Sequence, residues 1–194
     1  KLNGFADSYV RLTLWQAEKS AAISVVVKKY HPYPSKKYHK GFKVCVSSYR
    51  QNEDSVFAQV KSTSRLFFEA AYRQGKDNGF DEAIILNGRG DIAEGSRSNI
   101  FFAKDKEFFT PALKCGCLEG ITRKAVFDLA RFENIKIYEG NFTTQDLYGA
   151  DEAFLTNSLM GIMPLGSLNG EAIGENKCGK LTAFLIKKYN SPLS

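Results

Sequence analysis

Apolar positions along the chain follow two periods. Tyr9–Trp15 sets Val10, Leu12 and Leu14 against Arg11 and Thr13, the period-two pattern of a half-buried strand. Ala22–Lys28 is a β-branched run through Ile23, Val25, Val26 and Val27 and predicts a second strand, with Gln16–Ser20 as the connection. Two strands without a helix are too little for an independent core. The segment His31–Lys40 is polar, basic and interrupted by prolines, which predicts a linker. The expected organisation is therefore the remainder of a small N-terminal domain over 1–30, a linker over 31–40, and a complete domain over 41–194.

In that larger domain, Lys43–Ser47, Val56–Val60, Glu82–Asn87, Asp91–Glu94, Ser98–Ala103, Glu107–Phe109, Ile135–Tyr138, Glu152–Thr156 and Gly161–Leu168 read as strands. Apolar residues recur at helical spacing in Arg65–Arg73, behind cap candidates at Ser62–Ser64, and again in Thr122–Phe132 and Lys177–Tyr189. Asn87-Gly88 marks a hairpin turn. Strands outnumber helices and do not alternate strictly with them. The pattern predicts an α+β, barrel-like mixed domain rather than a doubly wound sheet.

Composition narrows the function. The 194 residues carry 27 Lys+Arg against 21 Asp+Glu, a net charge of +6. The basic residues cluster only at Lys28–Lys29, Lys36–Lys37 with Lys40, and Lys187–Lys188, so they form no nucleic-acid stripe. No apolar run reaches the ~18–20 residues that a membrane helix needs. The expected setting is cytoplasmic, with Cys45, Cys115, Cys117 and Cys178 reduced. Cys115-x-Cys117 is too tight for a zinc site, and the only histidines are His31 and His39, so no metal centre is expected. That scarcity also moves acid–base chemistry onto Lys, Glu or Tyr.

Three segments carry candidate chemistry. Lys61 stands before a polar turn, Ser62–Arg65. Glu94-Gly-Ser-Arg-Ser-Asn99-Ile-Phe101 sets one carboxylate and a polar loop between apolar strands. Leu118-Glu-Gly120-Ile-Thr122-Arg123 is a glycine turn opening a helix, whose free N–H groups suit a phosphate. Taken singly, a solvated lysine, a capped hairpin turn and an ordinary helix start explain them equally well. In order and spacing, together with Ala150–Ser158, they resemble the fold-type-IV (class IV aminotransferase) family of pyridoxal-phosphate enzymes. The resemblance runs from about Tyr9 to the C-terminus.

The resemblance implies a set of roles. Lys61 matches the lysine that condenses with the aldehyde of pyridoxal 5'-phosphate. Glu94, 33 positions on (94 − 61), matches the glutamate that holds the ring nitrogen. Leu118 is expected on the ring face, with Gly120, Ile121, Thr122, Asn157 and Ser158 around the phosphate. Arg65 falls near the ring hydroxyl, and Arg97 is either a site or a surface residue. Lys61 must be uncharged to act, so a partly desolvated site should depress its pKa. Family members carry a fuller N-terminal domain that gives an arginine to the phosphate, and that arginine is expected from a segment ahead of Lys1.

Within the family, Asn157-Ser-Leu-Met-Gly-Ile-Met-Pro-Leu165 resembles the aminodeoxychorismate lyase branch, which converts 4-amino-4-deoxychorismate to 4-aminobenzoate and pyruvate for folate synthesis. The alternatives are a branched-chain or D-amino-acid aminotransferase, or an inactive relative acting as a binding protein. A small-molecule amino substrate and a homodimer are expected, with the linker lysines attracting anionic substrates. The pairs Phe67–Phe68 and Phe101–Phe102 are read as supplying apolar surface for a second layer or subunit.

Overall fold

The computed structural model describes residues 4–18 and 20–191. The chain divides into two compact units, Lys1–Tyr33 and Pro34–Ser194. In the first, β1 (Ser8–Gln16) and β2 (Ala21–Lys29) form an antiparallel hairpin in unbroken register from Ser8↔Lys29 to Gln16↔Ala21. Val10, Leu12, Leu14, Ile23 and Val25 are exposed, so the apolar stripe that predicted these strands is not buried by the hairpin itself.

The second unit begins with a departure from the expected linker. Ser35–Lys40 is a short helix, α1, started by Pro34 and ended at Gly41, whose φ is 76°. A Cβ on Gly41 would meet Gly166 N at 2.6 Å, so only glycine lets the chain turn here against the sheet. Lys37 is ion-paired to Asp81 at 2.5 Å, which spends one of the charges expected to steer substrates.

The remaining elements are β3 (Phe42–Gln51), α2 (Leu66–Asp77), β4 (Glu82–Asn87), β5 (Ile92–Gly95), β6 (Asn99–Lys104), β7 (Glu107–Pro111), α3 (Ile121–Phe132), β8 (Ile137–Gly140), α4 (Thr144–Tyr148), β9 (Glu152–Asn157), β10 (Gly161–Leu168), β11 (Glu171–Ala172) and α5 (Lys180–Asn190). Strands β3 to β10 form one mixed sheet in the order β5-β4-β3-β10-β9-β6-β7-β8, with β11 added to β10. The sheet curls until its far strands meet. A Gly95↔Ser98 bridge joins β5 to the start of β6, and Ile92 N–H reaches Phe142 O at 2.7 Å.

Side-chain alternation along these strands builds two cores. Ile100, Phe102, Leu155 and Met163 face the inside of the curl with Val44, Ile84 and Leu165. Their neighbours Phe101, Ala103, Phe154 and Ile162 face out and are covered by Val126 of α3 and Leu185 of α5. Phe101 and Phe102 therefore both lie buried within the chain and leave no surface for a second copy. Phe67 and Phe68 contact each other edge-on, with Tyr49 against Phe67.

Two sequence expectations fail locally. Val56–Val60 is not a strand. Ala58 N–H bonds Ser55 O and Val60 N–H bonds Phe57 O, a chain of tight turns that leaves Val56 and Phe57 exposed. Ser62–Ser64 do not cap α2 either; Arg65 holds that position without a side-chain cap.

Candidate active site

Four connections meet at one end of the curled sheet: the β3–α2 crossover, the β5–β6 turn, the segment leading into α3, and the β9–β10 turn. They enclose a cavity of about 240 Å³. Lys61, Glu94, Leu118, Gly120, Ile121, Thr122, Asn157 and Ser158 all line it, so the structure brings every sequence-predicted site residue to one place.

Lys61 comes from the irregular crossover, which is pinned from outside the cavity. Glu53 accepts from Gly88 N–H at 2.8 Å and pairs with Arg89, while Gln59 Nε2 donates to Leu113 O at 3.1 Å. The Lys61 ammonium is held below the usual lysine range, first by loss of solvent and then by the Arg65 cation, with Glu94 opposing. Arg65 itself donates to Ser96 O at 3.2 Å and lies over the Phe68 ring.

Glu94 ends β5 and is 5% exposed. Burial raises its carboxyl pKa to about 8, against the pull of Leu118 N–H, Lys61 and Arg65, and the nearby Glu82 carboxyl adds to the rise. One of its oxygens accepts from Leu118 N–H at 3.1 Å. Asn99 Nδ2 donates to Leu118 O at 2.7 Å, so the Leu118 backbone is gripped at both its N–H and its C=O.

The same Asn99 explains Gly120. A Cβ there would run into Asn99 Oδ1. Glycine thus lets α3 begin against the β6 strand, with its first turn at the cavity. That helix has no side-chain cap. The α5 N-terminus is different, for Leu181 and Thr182 N–H both bond the Glu152 carboxylate, at 3.0 and 2.7 Å. One helix start is filled by the protein's own anion; the other is left open beside the cavity, an arrangement suited to an external anion.

The Asn157 side chain is committed within its own turn. Its Oδ1 accepts from Leu159 and Met160 N–H, both at 2.9 Å, and its Nδ2 donates to Arg97 O at 3.0 Å. The side chain is spent on shaping the β9–β10 turn, which presents Ser158 to the cavity. Arg97 is fixed to the rim, stacked 3.5 Å from the Tyr72 ring centroid and bonded to Glu69 at 2.6 Å. Arg123, last residue of its motif, points elsewhere: it bonds Pro111 O at 3.1 Å, pairs with Glu139 and stacks on Phe127.

Sequence reasoning passed over three residues. Glu82, 3% exposed, accepts from Ala83 N–H at 2.9 Å, from the Ser96 hydroxyl, and from Ser98 Oγ at 3.3 Å, and so builds the β5–β6 turn from beneath. Asn99 ties Leu118 and Gly120 to β6. Thr156 is 1% exposed and lines the cavity with no partner for its hydroxyl. Asn99 and Thr156 stand inside the quoted motifs; Glu82 carries no sequence signal beyond a charge opening an apolar strand.

Known proteins match this arrangement. The family model for class IV amino-transferases covers residues 1–168. A putative branched-chain-amino-acid aminotransferase of Methanocaldococcus jannaschii is 30% identical over 201 residues, covering 97% of this chain and 68% of that protein. A probable branched-chain-amino-acid aminotransferase of Aquifex aeolicus is 35% identical over 153 residues, covering 77% of this chain and 49% of that one. The chain spans about half the length of several curated relatives that it matches. Among solved structures, the T.th. branched-chain amino acid aminotransferase with pyridoxamine 5'-phosphate superposes with a TM-score of 0.89 at 25% identity, over 97% of this chain and 66% of that one. The Thermoproteus uzoniensis branched-chain aminotransferase with norvaline gives 0.86 at 30% identity, over 96% and 65%.

Proposed function

Because the chain belongs to the class IV aminotransferase family, we propose that it works with pyridoxal 5'-phosphate to move an amino group between a branched-chain amino acid and a 2-oxo acid. One observation carries this reading. Lys61 and Glu94 share a cavity in which the base is pushed towards its free amine and the acid towards its protonated form. Such opposed displacements mark an acid–base site.

The residues fit the cofactor. The open start of α3 suits its phosphate, and the lysine suits its aldehyde. When bound, pyridoxal phosphate supplies an aldehyde to which amines attach and a ring that takes up the electrons left when a substrate proton departs. The chain's own groups do the rest. Lys61, with its ammonium destabilised, offers a free amine to the aldehyde and, once released, moves the proton at the substrate's α-carbon. Glu94, itself buried and favouring its protonated form, would hold that proton at the ring nitrogen. Leu118, fixed at both backbone groups, offers its side chain to the ring face, and the first amides of α3 take the phosphate oxygens.

Ala58, Val60 and Ile121 contribute apolar groups to the cavity lining, which favours an aliphatic substrate side chain. The names of the relatives described above also favour transamination over the lyase. The stretch that suggested the lyase has a structural explanation, with Asn157 forming the turn and Met160, 5% exposed, packed in the inner core.

The test has two arms. Borohydride reduction in the presence of pyridoxal phosphate should leave a pyridoxyl group on Lys61 by peptide mapping, and Lys61→Ala should abolish it. L-Leucine with 2-oxoglutarate should then give glutamate. A label on another lysine overturns the site. Pyruvate from 4-amino-4-deoxychorismate without transamination overturns the substrate class. No labelling at all returns the chain to an inactive relative.

A further inference from the structure

We propose that Glu82 is a positioning residue of the candidate site: through the β5–β6 turn it fixes the Arg65 guanidinium in the cavity wall that Lys61 also lines. This deepens the acid–base reading above and rests on it. Glu82 acts from beneath the wall, whereas Arg65, Lys61 and Ser96 line the cavity. The link runs through hydrogen bonds. Ala83 N–H and the Ser96 hydroxyl donate to one Glu82 oxygen, and Ser98 Oγ donates to the other at 3.3 Å. Ser96 N–H also donates to Ala83 O at 2.9 Å, so backbone and carboxyl together tie the turn to β4. The Ser96 carbonyl, held in this way, is the acceptor for Arg65 Nη2 at 3.2 Å.

Packing makes the turn specific. A Cβ on Gly95 would run into Ser98 Oγ and come within 3.5 Å of Glu82 Cγ, so glycine here lets the Ser98 hydroxyl close over the carboxyl. Arginine is a side chain that needs such fixing, for it is long and rich in rotamers. The Phe68 ring supports one face of the guanidinium, and the Ser96 carbonyl sets its direction. The consequence falls on Lys61, whose amine is kept from its proton by loss of solvent and then by Arg65, with Glu94 opposing. A guanidinium released from Ser96 turns towards water, where its field is screened, and Lys61 then holds its proton more tightly. The charged and titratable groups about Glu82 itself are Arg97 in the turn, Glu94 on β5 and Cys45 on β3. The sign separates the two routes to Lys61. Removing the Glu82 charge, acting directly, would ease loss of the Lys61 proton; releasing Arg65 hinders it.

The experiment reads Lys61 in the ligand-free full chain. Wild type, Glu82→Ala, Glu82→Gln, Ser96→Ala, Arg65→Met and the double variant Glu82→Ala with Arg65→Met are labelled with a small amine-acylating ester across a range of pH. Peptide mapping follows the rate at Lys61. Only the unprotonated amine reacts, and dividing each rate by its own high-pH limit removes differences in access. Wild-type Lys61 should stay reactive to lower pH than a lysine in a model peptide. Glu82→Ala should cut the fraction of the limiting rate kept at about pH 7 by about three- to tenfold, the size of one neighbouring cation's effect. Arg65→Met should give a similar fall, and the double variant no further fall beyond it. Glu82→Gln, which keeps an acceptor for Ser96, should stay close to wild type. A purely structural Glu82 would lower the urea midpoint of Glu82→Ala and leave its Lys61 profile unmoved, which overturns the proposal. Glu82→Gln matching Glu82→Ala, or falls that add in the double variant, would assign the effect to the Glu82 charge acting through Glu94 and overturn it as well. Should Glu82→Ala fail to fold, Ser96→Ala, which removes only the hydroxyl that reaches the carboxyl, must show a fall in the same direction or the proposal is lost. Each of these failures leaves the acid–base reading intact; a wild-type Lys61 that behaves as a model-peptide lysine overturns both.

Discussion

The Glu94 carboxyl makes the ligand-free protein a pH-dependent fold, and replacing it with glutamine isolates the effect. In the folded chain its pKa is about 8, against 4.5 for an unperturbed glutamate. Below the lower value both states hold the proton, and the buried neutral acid costs nothing in pH terms. Above it the unfolded chain ionises while the folded chain does not, so stability contributed by this group falls steadily until the folded carboxyl also ionises near pH 8. The slope in that window is about 1.4 kcal/mol per pH unit, and from about pH 5 to pH 8 the loss sums to roughly 3–4 kcal/mol. Glu94→Gln keeps an oxygen for Leu118 N–H and does not titrate. Urea unfolding of the ligand-free proteins at about pH 5, 6, 7 and 8 measures the difference. The variant's advantage over wild type should grow by that amount across the range. Glu82, also raised by burial, tilts both curves in the same direction. Parallel profiles would mean that Glu94 is ionised in the fold and that the proton assigned to the ring nitrogen comes from elsewhere.

Two further outcomes test the scaffold around the site. Gly120→Ala forces Asn99 away from the start of α3 and should destabilise the chain by about 1–3 kcal/mol, with weaker binding of pyridoxal phosphate than of pyridoxal relative to wild type. Glu82→Ala leaves the Ser96 and Ser98 hydroxyls without their buried acceptor and should cost about 2–3 kcal/mol by urea unfolding, whereas Glu82→Gln, which retains an acceptor, should cost less.

The sequence by itself determined the elements whose apolar pattern is strong enough to need no partner for its reading. Strands Glu82–Asn87 and Gly161–Leu168 follow from continuous apolar runs, and α3 from its spacing. It also marked Lys61, Glu94, the Leu118–Thr122 stretch and Asn157–Ser158 by motif order, and the structure collects these residues around one cavity. What the sequence could not carry was anything set by the partner across space. Val56–Val60 has the composition of a strand but no neighbouring strand to take its backbone bonds, so it closes into turns. The basic segment Ser35–Lys40 becomes a helix because Gly41 lets it turn onto the sheet. Asn157 carries the motif of a phosphate ligand, yet its amide is claimed by the turn it stands in. Glu82 and Thr156 acquire their roles only when the curled sheet closes, which buries one carboxyl beneath the Ser96–Ser98 turn and strands one hydroxyl at the cavity wall. Local pattern is a property of neighbours in sequence; burial, hydrogen-bond demand and pKa belong to neighbours in space, and those exist only once the fold has formed.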